Sequence, residues 1–442
     1  MDNGHLLRAA TLNARGAGGR RGPAGGVPGG RGALGGAGAG GRIMEIDWDG
    51  TVLWDYPFST ATQLQHHDIT RLPNGNILML SWDAKTAEES IAAGRKPEYQ
   101  ASGGELPPDA IIEVKPTGKT TGEIVWEWHI WDHLVQDADK AKPNYGDVAT
   151  HPELIDINYS ESWMDPPAAA PGGTARGAGG PGGRGGGRLA TTDWTHVNAI
   201  AYNAALDQII VSSYTFSEFW IIDHSTTTAQ AAGHTGGKGG HGGDLLYRWG
   251  NPEAYRAGTG ADQTLFCPHN AQWIASGLNG QGHVLIFNNG PNRPGGERFS
   301  SVDEFELPVD KDGRYARAAN GAFAPPKLAW SYTAPNKTDF YSVNIGGAQR
   351  LPNGNTLINS GATGRLFEVT AAKEIVWEYR VPAGGPAGAG GAGGAGRLGG
   401  PGAPGALPGR GGPGGGGGAQ IFRAYRYGPD FPGLKGRDLT AK

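Results

Sequence analysis

The sequence predicts an all-β protein folded as a β-propeller, and three observations predict it. A tight Asn-Gly type turn recurs along the chain, each copy followed by four or five β-prone residues: "DNGHLLRAA" (2–10), "LPNGNILMLSWD" (72–83), "NAALDQIIVSSY" (203–214), "LNGQGHVLIFNNG" (278–290) and "LPNGNTLINSGA" (351–362). Such a turn tolerates positive φ and is the local signal of a hairpin. After each comes a second strand pair of the form apolar-Glu/Asp, polar turn, apolar-Trp-x-Tyr/Trp, and no long stretch carries a 3.6-residue apolar period. A four-stranded unit repeated around an axis is the signature of a propeller.

The units follow one another along the chain. The first pairs "DNGHLLRAA" with "RIMEIDWDGTVLWDY" (42–56), and the second pairs "HHDITRLPNGNILML" (66–80) with "AIIEVKPTGKTTGEIVWEWHI" (110–130). The third runs from "HVNAIAYNAALDQIIVSSY" (196–214) into "EFWIID…DLLYRWGNP" (218–252). The fourth joins "HNAQWIASGLNGQGHVLIFNNG" (269–290) to "SVDEFELPVD…KLAWSYTAP" (301–335), and the fifth joins "GGAQRLPNGNTLINSGA" (346–362) to "RLFEVTAAKEIVWEYRVP" (365–382). The closing "IFRAYRYGPDFPGLKGRDL" (421–439) reads as a last strand completing the ring. Met1 is followed at once by the middle of a repeat, so the chain is expected to start partway through a blade. The expectation is a single propeller domain over 1–442.

Composition agrees once the glycines are set apart. The 79 glycines concentrate in four blocks, 16–41, 166–187, 232–243 and 383–418, with little apolar content to bury; they are expected as flexible surface loops inserted between strands. The arginines within them resemble RGG-type RNA-binding segments, but each block interrupts a continuous repeat, as solvated insertions do, and no nucleic-acid partner is expected. Net charge is −4. The lone Cys267 excludes an internal disulfide and a cysteine zinc cage. No apolar run reaches the ~20 residues of a membrane span. The opening "MDNGHLLRAATLNARG" lacks the apolar core of a signal peptide; in a chain that begins mid-repeat this is not read as cytoplasmic.

Just before the hairpin turn stand His67, His196 and His269 in three units, with Gly346 in the corresponding place of a fourth. This position opens the innermost strand, and innermost strands line a propeller's central channel, so the three imidazoles are expected to converge at one mouth. Two chemistries are open to them. One is a metal centre, since imidazole is the commonest metal nitrogen ligand, although Asp68 is the only adjacent carboxylate. The other is anion chemistry, with one imidazole as nucleophile and its neighbours as donors; Asn198, two residues past His196 on the same strand face, is a suitable donor. The glycines of "GGAQRLPNGN" are expected to leave room where the other blades supply chemistry.

These residues resemble the bacterial arylsulfate sulfotransferases. The matching pieces are "HHDITRLPNGNILML", "DWTHVNAIAYNAALDQIIVSSY", "DLLYRWGNPEAYRAG", "LFCPHNAQWI" with "VLIFNNGPNRPGG", and "LPNGNTLINSGATGRLFEV…EIVWEY", covering most of 43–382, plus "FRAYRYGPDFPG". The resemblance implies a six-bladed, mostly exported propeller, periplasmic or secreted, with no cofactor and no metal. It implies sulfuryl transfer between phenols without a nucleotide sulfate donor, by a ping-pong route in which His269 is transiently sulfated. His67, His196 and Asn198 match the sulfate-binding and acid/base positions. Partners are then a small aryl sulfate and a phenol acceptor, and a homodimer is compatible with it. Tyr214, Phe216 and Trp273 are candidate aryl-stacking residues.

This sequence departs from the pattern at two places. Tyr214 stands where an arginine is expected after the second histidine, so Arg293 or another arginine would have to supply the charge, and the nucleophile's surroundings read "CPHNAQW". Without that arginine, a non-catalytic ligand- or partner-binding propeller is the alternative reading, and a metal-dependent enzyme on the channel histidines a third.

Overall fold

In the computed structural model, residues 4–12, 34, 38–100, 104–159, 193–382 and 420–439 are described. The glycine-rich blocks 166–187 and 383–418, and most of 16–41, lie outside them. The described residues form five blade sheets in chain order. The first has three strands, β1 (Leu6–Thr11), β2 (Gly41–Ile46) and β3 (Val52–Pro57). The second is β4 (Gln63–Arg71), β5 (Ile77–Asp83), β6 (Asp109–Pro116) and β7 (Gly122–His129). A short parallel pair, β8 (Leu134–Val135) and β9 (Ile155–Asp156), follows. The third blade is β10 (Val197–Asn203), β11 (Gln208–Ser213), β12 (Glu218–Asp223) and β13 (Tyr247–Trp249). The fourth is β14 (His269–Trp273), β15 (Val284–Asn288), β16 (Ser301–Glu306) and β17 (Lys327–Tyr332), and the fifth β18 (Gly347–Arg350), β19 (Thr356–Ser360), β20 (Arg365–Val369) and β21 (Ile375–Arg380).

Each sheet is an antiparallel meander, so the all-β propeller is the fold, with five blades where six were expected. The first strands of neighbouring blades lie side by side, β4 against β10, β10 against β14 and β14 against β18. Burial falls outward: β5, β11 and β15 are buried throughout, whereas β21 is exposed along its length.

The acidic residue that recurs in the third strand has a structural task. Asn76 of the "LPNGN" turn donates to Glu113 on β6 at 2.5 Å, and Asn353 and Asn355 do the same for Glu368 on β20. The other carboxylate oxygen meets a basic group from the following blade. Arg71 reaches Glu45 at 2.7 Å, His224 reaches Glu113 at 2.9 Å, and Arg350 reaches Glu304 at 2.5 Å. Glu368, on the last blade, is met instead by Arg426 from the C-terminal segment.

That segment forms no strand, contrary to expectation. Pro429 and Pro432 have no N–H to give a ladder, and the chain is anchored by side chains. Gln349 Nε2 donates to Arg426 O while its Oε1 accepts from Arg426 N, and Asn359 donates to Ile421 O. At the other end Tyr427 and Phe431 pack edge-on against Trp48, and Arg437 pairs with Asp49, both between β2 and β3. The segment is a strap from the last blade to the first.

Residues 232–243, expected as a flexible loop, are folded. Gly236, Gly237, Gly240 and Gly242 take positive φ, and Gly242 N and Gly243 N donate to Gly236 O and Gly233 O at 3.0 and 2.9 Å.

Glu304 and Arg350 are 6% and 5% exposed, whereas Arg71 of the corresponding Glu45 pair is 27% exposed. Removing one partner of a buried pair strands the other. Glu304→Ala is expected to cost about 3–5 kcal/mol in urea unfolding, and Glu45→Ala only about 1 kcal/mol.

Candidate active site

The three innermost strands that carry histidine all break register at the same end. The bulges fall between His66 and Ile69 in β4, Val197 and Ala199 in β10, and His269 and Gln272 in β14; β18 pairs without interruption. His67 (φ 45°), His196 (φ 40°) and Asn270 (φ 56°) occupy the left-handed region, a conformation that costs a non-glycine residue about 1–2 kcal/mol. Bulges re-aim side chains beside functional sites. The histidines therefore share a location without sharing a backbone conformation: at His269 the left-handed residue is the next one along.

The rings meet. The centroids of His67 and His196 are 4.7 Å apart, those of His196 and Tyr214 5.1 Å, and those of Tyr214 and His269 5.5 Å. Phe422 of the strap closes the circuit, 6.1 Å from His67 and 6.5 Å from His269. Gly38 packs its backbone on the His67 ring, and its carbonyl accepts from His67 N at 2.7 Å.

Each imidazole has a different electrostatic setting. Asn289 donates through Nδ2 to Ser342 O and Ile345 O, so its Oδ1 is the atom facing His269 Nδ1 at 2.8 Å. His269 thus carries its hydrogen on Nδ1 and leaves Nε2 as a lone pair. Burial, with the nearby charges of His196 and Arg423, holds its pKa down to about 3. Burial and the neighbouring imidazoles likewise hold His67 well below the ordinary histidine value. His196 goes the other way. Burial opposes its charge, but Asp193 Oδ2, 2.5 Å from Nδ1, outweighs that and raises the pKa. Trp82 from the second blade donates to the other oxygen of Asp193 at 3.1 Å. The mouth holds a cationic imidazole beside two neutral ones.

Several contributors were not anticipated. His66, read as an ordinary histidine, stacks on Trp82 with centroids 4.3 Å apart, and its Nδ1 lies 2.8 Å from His67 Nδ1. Its Nε2 lies 2.8 Å from Asp109 Oδ1, off hydrogen-bond alignment but within ion-pair reach. Asp109 also accepts from Val197 N at 3.0 Å, tying the second blade to the third. Asp193 was legible in principle as the aspartate of "DWTH"; Asn289 and Arg423 lie far from the histidines in the chain.

The remaining expectations divide. Tyr214 lies between His196 and His269. Asn198 is fully buried, donating to Pro268 O at 2.9 Å and accepting from Ser212 Oγ at 2.8 Å, so it braces the residue before His269. Arg293 does not join the group: it donates to Phe299 O and Ser301 Oγ and packs across the rings of Phe266 and Phe299. Phe216 is core, packed on Trp194 and Trp220, and Trp273 packs in the cluster around Phe219. The cation comes instead from Arg423, whose Nη1 pairs with Asp68 at 2.7 Å and whose guanidinium lies 5.4 Å from the Phe422 ring centroid. The glycines of "GGAQRLPNGN" do not leave room: a Cβ on Gly346 (φ 148°) would come within 2.8 Å of the Phe287 ring, and one on Gly347 within 2.6 Å of Asn270 Oδ1.

A family model described as Arylsulfotransferase (ASST) matches residues 30–381, most of the chain. The chain belongs to the arylsulfotransferase family. Membership makes it a sulfotransferase acting between small-molecule donors and acceptors. No curated protein matches it. Among solved structures, it is similar to a protein of unknown function from Bacteroides caccae, at 12% identity over 76% of this chain and 74% of that one, with a TM-score of 0.36. It is also similar to virginiamycin B lyase from Staphylococcus aureus, at 9% identity over 86% and 75%, with a TM-score of 0.32. Overlaps this low carry no argument about this arylsulfotransferase. No helix among its described residues is long and apolar enough to cross a membrane.

For an arylsulfotransferase that uses the His196 proton, kcat/KM should hold below the raised pKa of His196 and fall as pH rises through it. His269, held to about 3, should add no limb in the neutral range. Asp193→Asn removes the charge that opposes burial, so the alkaline limb of a pH–rate profile should move down by about one unit or more.

Proposed function

We propose that the protein transfers a sulfuryl group from an aryl sulfate to a phenol acceptor by a ping-pong route through a sulfated His269, with no nucleotide sulfate donor. The observation that carries this reading is the neutral His269 whose Nδ1 is held by Asn289, beside a His196 kept cationic by Asp193. In the first half, the Nε2 lone pair attacks sulfur, the sulfur–aryl oxygen bond breaks, and the departing phenolate takes the proton of His196. In the second, neutral His196 removes the acceptor's phenolic proton, the phenolate oxygen attacks sulfur, and the nitrogen–sulfur bond returns its pair to Nε2. Two easier steps replace one hard displacement, with a matched acid and base in place.

The charge on the sulfuryl oxygens needs donors around it. Arg423 supports this role in place of the arginine that Tyr214 displaces. Its Nε is buried without a hydrogen-bond partner among the described residues, a donor suited to an anionic oxygen. Tyr214 adds a hydroxyl between the two histidines, and Phe422 offers an aryl ring to the substrate. Asn198 acts in this reading by positioning the Pro268–His269 step. A periplasmic or secreted location follows from the family reading, and oligomerisation as a homodimer is compatible with it.

The test is release of 4-nitrophenol from 4-nitrophenyl sulfate in the presence of a phenol acceptor. His269→Ala is expected to lower kcat by about 10⁴-fold, and an unchanged rate would remove His269 from the nucleophile's place. Arg423→Gln is expected to lower kcat/KM by about 10- to 100-fold, with Arg423→Lys partly restoring it. Absence of turnover in a folded protein would favour the binding propeller, and loss of turnover with chelator the metal-dependent enzyme.

A further inference from the structure

Away from the channel mouth, the seam between the second and third blades holds another group of histidines. His133 follows β7 and is buried; His234 and Asp244 come from the connection between β12 and β13. His133 Nδ1 lies 2.9 Å from Asp244 Oδ1, and His234 Nδ1 lies 2.8 Å from the same oxygen. The three atoms lie within 4.8 Å of one another.

The orientation of His133 is set from behind. Its Nε2 is 2.8 Å from Ala231 O, a carbonyl that can only accept, so Nε2 carries hydrogen and Nδ1 is turned to the carboxylate. A backbone carbonyl behind the ligating imidazole is the usual support of a metal-bound histidine. Trp128 stacks on the ring at 5.5 Å and 9°, and its Nε1 donates to Gly243 O at 2.7 Å. A Cβ on Gly243 would stand 2.6 Å from His133 Nε2 and 2.0 Å from Ala231 O, so a glycine is required for the imidazole to lie against that backbone. Asp244 can only accept, and two ring nitrogens point at one of its oxygens. Something positive must lie between them, a proton or a cation.

We propose that His133, His234 and Asp244 form a binding site for a divalent transition-metal ion of the zinc type. Two imidazole nitrogens and one carboxylate oxygen suit zinc, whereas magnesium and calcium prefer all-oxygen sets. At bond lengths of about 2.0–2.1 Å, tetrahedral ligand atoms stand about 3.3 Å apart, so the 2.8 and 2.9 Å contacts need open by only about half an ångström to admit the ion. His234 is 59% exposed and lines a cavity of about 450 Å³ with His151, Asp132 and Tyr145, which gives the ion a route in and leaves the fourth position to water. The ion would pin the folded glycine segment 232–243 to the second blade, which assigns that segment a task.

The experiment measures zinc binding to the full chain, stripped with chelator and titrated with zinc chloride, by calorimetry and by metal content after gel filtration. Wild type and His269→Ala are expected to retain one zinc at this site and to melt at higher temperature with it. The exposed His234→Ala should bind about 100-fold more weakly or not at all, with its zinc-free melting temperature little changed; Asp244→Asn should weaken binding similarly. No stoichiometric zinc in the wild type, or undiminished binding in His234→Ala, overturns the proposal. Loss in His269→Ala with retention in His234→Ala overturns it also, by locating the ion at the channel mouth.

Discussion

A carboxylate on the third strand of each blade holds the propeller together. Glu45, Glu113, Glu304 and Glu368 each accept from a basic group that belongs to the next element around the ring. Where the "LPNGN" turn is present, its asparagines bind Glu113 and Glu368 from within the blade. One side chain thus couples a hairpin's local conformation to the angle between neighbouring blades. An unpaired carboxylate at these largely buried positions would be costly, so the pairing constrains how each blade meets the next.

The strap extends the same constraint across the closure. The last blade has no successor among the described residues, and Arg426 stands in for the missing cation. Three residues earlier on the strap is Arg423, bound to Asp68 of the second blade. Asp68 also accepts from Ile200 N of the third blade at 2.9 Å. The contact that closes the ring therefore brings a buried guanidinium to the channel mouth. Closure and site assembly depend on one stretch of chain.

Within the mouth, chemically identical side chains are made unequal by what stands behind them. Asn289 presents an amide oxygen to His269, and Asp193 presents a carboxylate to His196. The first accepts a hydrogen without favouring charge; the second stabilises the cation. Burial then magnifies the difference, because a desolvated imidazole stays neutral unless a carboxylate compensates. The bulges at the ends of β4, β10 and β14 turn the rings into the same space.

The sequence by itself determined the repeats. Turn residues that accept positive φ, alternating strands and a recurrent acid in the third strand are short-range features, written where they act, and they placed every blade sheet that the structure contains. They also marked His67, His196 and His269, because each stands beside the turn of its own blade. Tertiary structure alone decided the rest. Asp193 pairs with a histidine three residues away, yet its second contact is Trp82 on another blade. Asn289, Arg423 and Phe422 meet the histidines only because the ring folds back on itself. Gly346 shows the same limit in reverse: read alone it suggests space, and in place it is pressed on Phe287. Local hydrogen bonding is encoded over a few residues, whereas the partners of a buried group are chosen by closure of the whole ring.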